Sequence, residues 1–446
     1  MTTDILIIGA GAAGLAAARE LSRSGLQVTI LEARDRIGGR IFTHRDDQSP
    51  LAFELGAEFI HGRPPEILDI ADRQALKLVQ TADRHWYFHD DTITGSSELW
   101  TKLERVMEEM KDCKPPDISF GEFLKSYEAT HHLGEAASLA KMYVEGFHAA
   151  RSDRISVLGL NNVNEAADSV DGDKEFRIPA GYDLIAQSLH DDAVRAWAKF
   201  LLNTVVQEVR WRTGHVQIET NCNGNTQLHE ASGVLVTLPL GVLQASENEL
   251  GAVRFVPALP EKAEAAKKLA MGHALRIVLR FRKCFWEEAK LATKAGEAID
   301  SRQLGFIHAP NETIPSWWTQ LPMHLPVLVG WAGGPQAEKL SLADHDTLVE
   351  YAVRSLAHIF AKRREEVTEL LAETYTHNWK NDPFSRGAYS YIPVGGLEAP
   401  AQLAQSVAGT LFFAGEATDT KGYGGTVHGA IASGLKAARE IMKRNA

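Results

Sequence analysis

An α/β fold, in which a nucleotide-binding domain is interrupted by a second, α+β domain, is predicted by three features of the sequence. The first is a strand–turn–helix–strand pattern between Asp4 and Arg40. The second is a return of short β-like runs between residues 201 and 239, after a long stretch of helical character. The third is an apolar run, Leu411-Phe412-Phe413, that ends in Gly415-Glu416 and leads into a helix of small residues.

Taken in order, Ile5-Leu6-Ile7-Ile8 is a short apolar strand, and Gly9-Ala10-Gly11-Ala12-Ala13-Gly14 is a G-x-G-x-x-G turn opening an alanine-rich helix. Gly9 allows the tight turn, Gly11 lets backbone approach a pyrophosphate, and Gly14 lets the helix pack closely; Ala10 and Ala13 complete the loop. The helix N-terminus offers unpaired N–H groups to the phosphates. Gln27 to Leu31 is the second strand, and Glu32 closes it about 20 residues past the glycines, where an acid binds a ribose hydroxyl. This is a Rossmann-type signature, and the acid leaves NAD and FAD both open. The continuation Ala33-Arg34-Asp35-Arg36-Ile37-Gly38-Gly39-Arg40 supplies a second glycine pair flanked by arginines, suited to wrapping the same pyrophosphate. That extension resembles flavin-binding oxidoreductases, so FAD is the expected cofactor.

Leu51 to Gly62 reads as a strand, a glycine turn and a second short strand, with Gly56-Ala57 letting backbone approach a flat ring and Glu58 beside it. From about residue 66 to 150 the pattern is mostly helical, with Leu99, Leu103, Val106 and Met110 at helical spacing and no strand-rich signature. The chain turns back near Tyr182. Residues 201–209, 216–220 and 234–238 then read as strands, with Val206 placed for backbone contact to adenine. A second insertion starts near Ala252, with strands at 274–281 and 326–331 and an amphipathic helix from Asp344 to Lys362. The nucleotide domain is thus assigned to 1–75, 180–250 and 375–446, and the substrate domain to 76–179 and 251–374.

The 446 residues, 44% hydrophobic and 24% charged, describe an ordinary globular chain. A net charge of −11 argues against nucleic-acid binding and suits a cationic substrate. Three scattered cysteines carry no disulfide or metal spacing, which with the lack of a signal or membrane segment gives a cytoplasmic expectation and no membrane partner.

Across nearly its whole length the chain resembles the FAD-dependent amine oxidases, a family that includes monoamine oxidases, polyamine oxidases and lysine-specific histone demethylases. The resemblance rests on the motifs above, on Trp379-Lys380-Asn381-Asp382-Pro383 with Gly387-Ala388-Tyr389-Ser390-Tyr391, on Phe413-Ala414-Gly415-Glu416, and on Thr426-Val427-His428-Gly429-Ala430. It implies a flavin half-site built from Trp379, Gly415, Glu416, Thr426 and Val427, with Glu416 bonded to the ribityl chain or to a pyrophosphate-bound water. Ala388 stands where monoamine oxidases bond the flavin covalently, so FAD is expected to be held non-covalently. Tyr389 matches one tyrosine of the family's aromatic pair, and Thr426 replaces the other, as in demethylase and some polyamine oxidase branches. Phe59-Ile60-His61-Gly62 is similar to a polyamine oxidase stretch whose histidine contacts substrate. Arg276 falls at the family's lysine beside flavin N5; it cannot act as a base but can pair with a carboxylate.

The reaction implied is hydride transfer from an amine to FAD, giving an imine, then an aldehyde with ammonia or an amine, with dioxygen returning as hydrogen peroxide. Tyr389, Trp379, Arg276 and Thr426 are the catalytic candidates, and His61 the substrate contact. Arg276 keeps open an L-amino-acid oxidase, an amine dehydrogenase reacting poorly with dioxygen, and a flavoprotein binding subunit with little catalysis. A desaturase or protoporphyrinogen-type oxidase shares the glycine motifs but not the segment from Trp379 to Tyr391. Oligomeric state has no signature in the sequence.

Overall fold

The structure, a computed structural model, describes residues 3–46, 49–95, 97–131, 133–293 and 298–445. Strand Thr3–Ile8 lies inside a first sheet, in parallel register with Val28–Leu31 on one side and Asn225–Val236 on the other. Lys199–Leu201 extends the parallel set beyond Val28–Leu31, and Leu411–Phe413 pairs with the end of Asn225–Val236. Parallel strands covered on both faces have no wet side, which is why Ile5 to Ile8 is an unbroken apolar run. The other half of Asn225–Val236 pairs antiparallel with His215–Cys222, which pairs with Thr204–Arg212; Arg254–Val256 adds an edge strand beyond residue 250.

Helices Ala12–Arg23, Asp183–Arg195 and Val427–Asn445 share one core with this sheet, including Leu15, Ile185, Ile431 and Ile441. A Cβ on Gly434 would lie 2.2 Å from the Ala13 carbonyl oxygen. Only glycine permits so close an approach of Val427–Asn445 to Ala12–Arg23.

A second, mostly antiparallel sheet runs in the order Leu371–Thr376, Ala274–Phe281, Val327–Gly333, Ser316–Trp318, Phe306–His308, His85–His89 and Thr92–Gly95. Side chains alternate across a strand. Leu275, Ile277, Leu279 and Phe281 therefore pack beneath helix His345–Ile359, while Arg276 and Val278 face the other way, toward Phe53 and Leu55. That helix is capped by Asp344, whose carboxylate accepts the Thr347 N–H at 2.9 Å.

The stretch read as helical contains Pro65–Arg73, Ser97–Lys111, Phe120–His131 and Glu135–Phe147, with Leu103, Val106 and Met110 buried. The Leu99 side chain lies outside the described residues. The reading missed the hairpin His85–His89/Thr92–Gly95, which forms the edge of the second sheet. Its two-residue turn, Asp90-Asp91, has φ of 47° and 56°, so aspartates take the left-handed positions usually signalled by Asn-Gly. Among the described residues, no helix is long and apolar enough to cross a membrane.

His358 ties this hairpin to helix His345–Ile359. Its Nδ1 meets Glu312 at 2.5 Å and its Nε2 meets Asp91 at 2.7 Å. The hydrogen bond to Glu312 is the main reason its imidazolium is held above the usual histidine range, with Asp91 adding to it. A raised folded-state value gives stability that is complete below the unfolded value and lost as pH rises through the folded one. The Tm difference between the native protein and H358Q is therefore expected to be present near pH 6 and to shrink as pH rises above the ordinary histidine range. Its size is small because the pair is half-exposed and screened. A pH-independent difference would contradict the bridge.

Candidate active site

One cavity of about 1450 Å³ is walled by segments from both sheets. It collects Gly9, Gly11, Ala13, Glu32, Ala33, Arg34, Gly39 and Arg40 from the opening stretch, then Gly56, Ala57, Glu58 and His61. Val206, Arg276, Trp379, Tyr389, Gly415, Glu416, Thr426 and Val427 complete the set. Ala10 and Gly14 stand behind this wall. The volume exceeds the 300–1,000 Å³ of common small-molecule pockets, which leaves room for a dinucleotide and a substrate together.

At the nucleotide end, Gly9 (φ 103°) turns the chain under Thr237, whose hydroxyl donates to the Ile8 and Gly9 carbonyls. A Cβ on Gly14 would sit 2.0 Å from the Gly9 carbonyl oxygen, so this glycine seats the helix on the turn. A Cβ on Gly11 would meet nothing within 4 Å; it would project into the space a pyrophosphate needs. Gly39, with φ 59°, brings the second glycine loop against Gly11. Glu32 accepts the Ala10 N–H at 2.7 Å through one oxygen and the Arg34 N–H at 2.9 Å through the other. Both bonds fix the carboxylate at the end of its strand and leave lone pairs for ribose hydroxyls. Val206 sits at a β-bulge that opens its strand beside them. These residues fit FAD.

Three of these residues are also tied to the chain itself. The Arg34 guanidinium bonds Asp382 at 2.7 Å and Ser385 at 2.9 Å, fastening the opening stretch to the segment after Trp379. Glu416 is held on both carboxylate oxygens. One oxygen takes Arg40 at 2.8 Å, and the other takes the Ser390 hydroxyl at 2.6 Å and the Gly425 N–H at 3.1 Å. Gly56 is required by the chain itself, since a Cβ there would lie 2.0 Å from the Arg40 carbonyl oxygen. Arg34 and Glu416 thus each have a partner more than 300 residues away, which local sequence does not display.

At the other end, the Trp379 indole N–H donates to the Leu55 carbonyl at 2.8 Å, fixing the ring at the wall. The Tyr389 hydroxyl donates to the Phe147 carbonyl at 2.6 Å, and burial pushes its ionisation far up, so it stays a neutral ring. The Thr426 hydroxyl is spent on structure: it donates to the Tyr423 carbonyl and accepts the Gly429 N–H, capping helix Val427–Asn445.

Arg276 is buried on the inner wall, and its partner is Glu58 at 2.8 Å. Arg177, absent from the sequence reading, holds the other Glu58 oxygen at 2.7 Å. Trp318 and Trp331 flank the Arg276 guanidinium at 5.4 and 5.6 Å, and Phe59 flanks Arg177 at 4.7 Å. Burial raises the neighbouring Glu54 carboxyl to about 8, so it adds no counter-charge at neutral pH. Two guanidiniums thus share one carboxylate, and the wall carries a net positive charge. Lys283, the nearest lysine in sequence, points outward to Glu288 and cannot replace Arg276.

Comparisons with known proteins agree with this architecture. Residues 12–442 match the family described as flavin containing amine oxidoreductase. Polyamine oxidase 2 of Arabidopsis thaliana is 28% identical over 99% of this chain and 88% of its own length. Lysine-specific histone demethylase 1 homolog 2 of the same plant is 27% identical over 98% of the chain, which spans only 58% of that relative. Among solved structures, putrescine oxidase bound to putrescine superposes with a TM-score of 0.79 at 21% identity, covering both chains completely. Cyclohexylamine oxidase from Brevibacterium oxydans gives 0.79 at 19%, over 100% of each chain. The Rossmann-type domain is an FAD-binding one, and FAD is the cofactor. With its glycine cradle, its acid-anchored nucleotide end and a family match across nearly the whole sequence, the chain belongs to the flavin containing amine oxidoreductases.

Proposed function

We propose that the protein oxidises a small cationic amine at the carbon beside nitrogen, with dioxygen reduced to hydrogen peroxide and FAD held non-covalently. One observation carries the substrate class. Among the described residues between 80 and 173, the cavity wall presents Asp83, Glu104, Glu165 and Asp173, and no lysine or arginine. This face attracts ammonium groups, whereas the inner wall carries the net positive charge of Arg276, Arg177 and Glu58. A di- or polyamine suits that polarity: its reacting nitrogen lies neutral near the inner wall and its distal charge toward the carboxylates. An amino-acid substrate is disfavoured because Arg276, its expected carboxylate partner, is already paired with Glu58.

Bound FAD supplies the hydride acceptor. The chain's own residues orient and enclose the amine: Tyr389, Phe147, Phe59 and Trp318 form aromatic walls that exclude water and hold a C–H in place. None of the three cysteines lines the cavity, and Ala388 offers no nucleophile, which supports non-covalent FAD. The imine product hydrolyses after release. In this reading the segments 1–75, 180–256 and 375–446 hold FAD, the boundary moved past Arg254–Val256 because that strand joins the first sheet, and 76–179 with 257–374 shape the substrate space.

Anaerobic mixing of the holoenzyme with putrescine, spermidine, benzylamine and L-amino acids tests this. Di- and polyamines are expected to bleach the flavin, and in air to yield one peroxide per amine oxidised. Bleaching by L-amino acids in preference to amines, or by nothing in the panel, would overturn it.

A further inference from the structure

Amine oxidation needs the nitrogen lone pair, yet an alkylammonium with a pKa of about 10 arrives protonated at neutral pH. Among the described residues five imidazoles line the cavity: His61, His85, His148, His308 and His428. Burial lowers His148 and His428 to about 4 and His308 to about 3, so these three stay neutral. His85 has both ring nitrogens engaged, Nε2 with Asp83 at 3.0 Å and Nδ1 with His308 at 2.9 Å. His61 differs from all four. Its Nδ1 faces Glu175 at 3.3 Å, and its Nε2 has no partner among the described residues.

The backbone fixes this pair, because Ile60–His61 runs antiparallel to Glu175–Arg177 with His61 directly opposite Glu175. Phe147 meets the imidazole edge-on at 5.4 Å, and Phe59 lies at 6.1 Å. The neutral rings of His148 and His428 lie around His61, and Tyr143, Arg177 and His85 around Glu175. Burial raises the Glu175 carboxyl, but the hydrogen bond with His61, helped by the Arg177 guanidinium, more than reverses this and leaves it ionised.

We propose that His61 takes the proton from the bound ammonium through Nε2, with Glu175 as the positioning residue that fixes its tautomer and balances the imidazolium. The ammonium N–H bond breaks and the Nε2–H bond forms. No electrons leave either partner, and the positive charge moves from substrate to imidazole, beside the Glu175 carboxylate. The proton returns to water when product leaves.

This inference rests on the amine reading above, and one experiment separates the two. The limiting rate of anaerobic flavin reduction is measured against pH for native holoenzyme, H61Q, E175Q and E175D, with FAD content checked for each. H61Q is expected to be slower by roughly 10²-fold at neutral pH, in the range typical of general base catalysis. Its rate should rise with pH until the amine deprotonates in solution, and buffer imidazole should restore part of the rate to H61A. E175Q is expected to fall by a smaller factor and E175D to recover it, with FAD content unchanged throughout. Amine bleaching of native flavin with an H61Q profile identical to native, or with E175Q as fast as native, overturns the proton transfer alone. If no amine bleaches native flavin, both readings fall.

Discussion

Replacing Glu58 with alanine is expected to cost roughly 3–5 kcal/mol of stability, the largest effect of any single change at the site. Glu58 is 6% exposed and holds two guanidiniums that are themselves only 5% exposed. Removing it leaves two buried cations facing each other without a counter-ion. The Arg276 Nε and an Arg177 Nη are already without hydrogen-bond partners, so no spare acceptor stands by. A triple variant, E58A with R177M and R276M, should recover a large part of the loss, because replacing a whole buried ionic cluster by apolar groups is often near neutral. Urea unfolding of the single and triple variants decides the point. A single variant within about 1 kcal/mol of native would mean that water reaches the pair and screens it.

The second large effect separates two glycines of one motif. G14A places a methyl group 2.0 Å from the Gly9 carbonyl oxygen, so the turn must open and the helix must move. Overpacking of this kind costs roughly 1–3 kcal/mol, and both apo-protein stability and FAD affinity should fall. G11A meets no atom within 4 Å, and its backbone φ of −76° suits alanine. Its apo form is expected to unfold at the native midpoint while FAD binds about 10–100-fold more weakly, the equivalent of roughly 1.4–2.8 kcal/mol. Thermal scans of apo-protein and flavin titrations check both. An apo G11A as unstable as G14A would show that Gly11 serves packing rather than ligand approach.

The same contrast explains what was legible in the sequence. The α/β class and the nucleotide half could be read because their determinants are contiguous: an apolar strand, a glycine turn and an acid at the next strand's end. The parallel centre of the first sheet follows from Ile5 to Ile8 being apolar without alternation. Contacts made with distant partners were not legible: those of Arg34 with Asp382 and Ser385, and that of Glu416 with Arg40. Arg177 carried no local signal; it became visible only as the second partner of Glu58. The hairpin at Asp90-Asp91 was hidden by its turn residues, since aspartate pairs signal solvent exposure more often than a left-handed turn.

The glycine contact between helices Ala12–Arg23 and Val427–Asn445 also governs when the protein can acquire its flavin. The phosphate-binding turn lies near Gly11, but the strand before it is clamped by Asn225–Val236, and the helix after it packs on residues 427–445. During synthesis at about 5–20 residues per second, the turn waits roughly 20–80 s for that helix to appear. FAD therefore cannot serve as an early scaffold for the chain. Its capture is a late event on the folding path, because one wall of its site is made only when residues 427–445 have emerged.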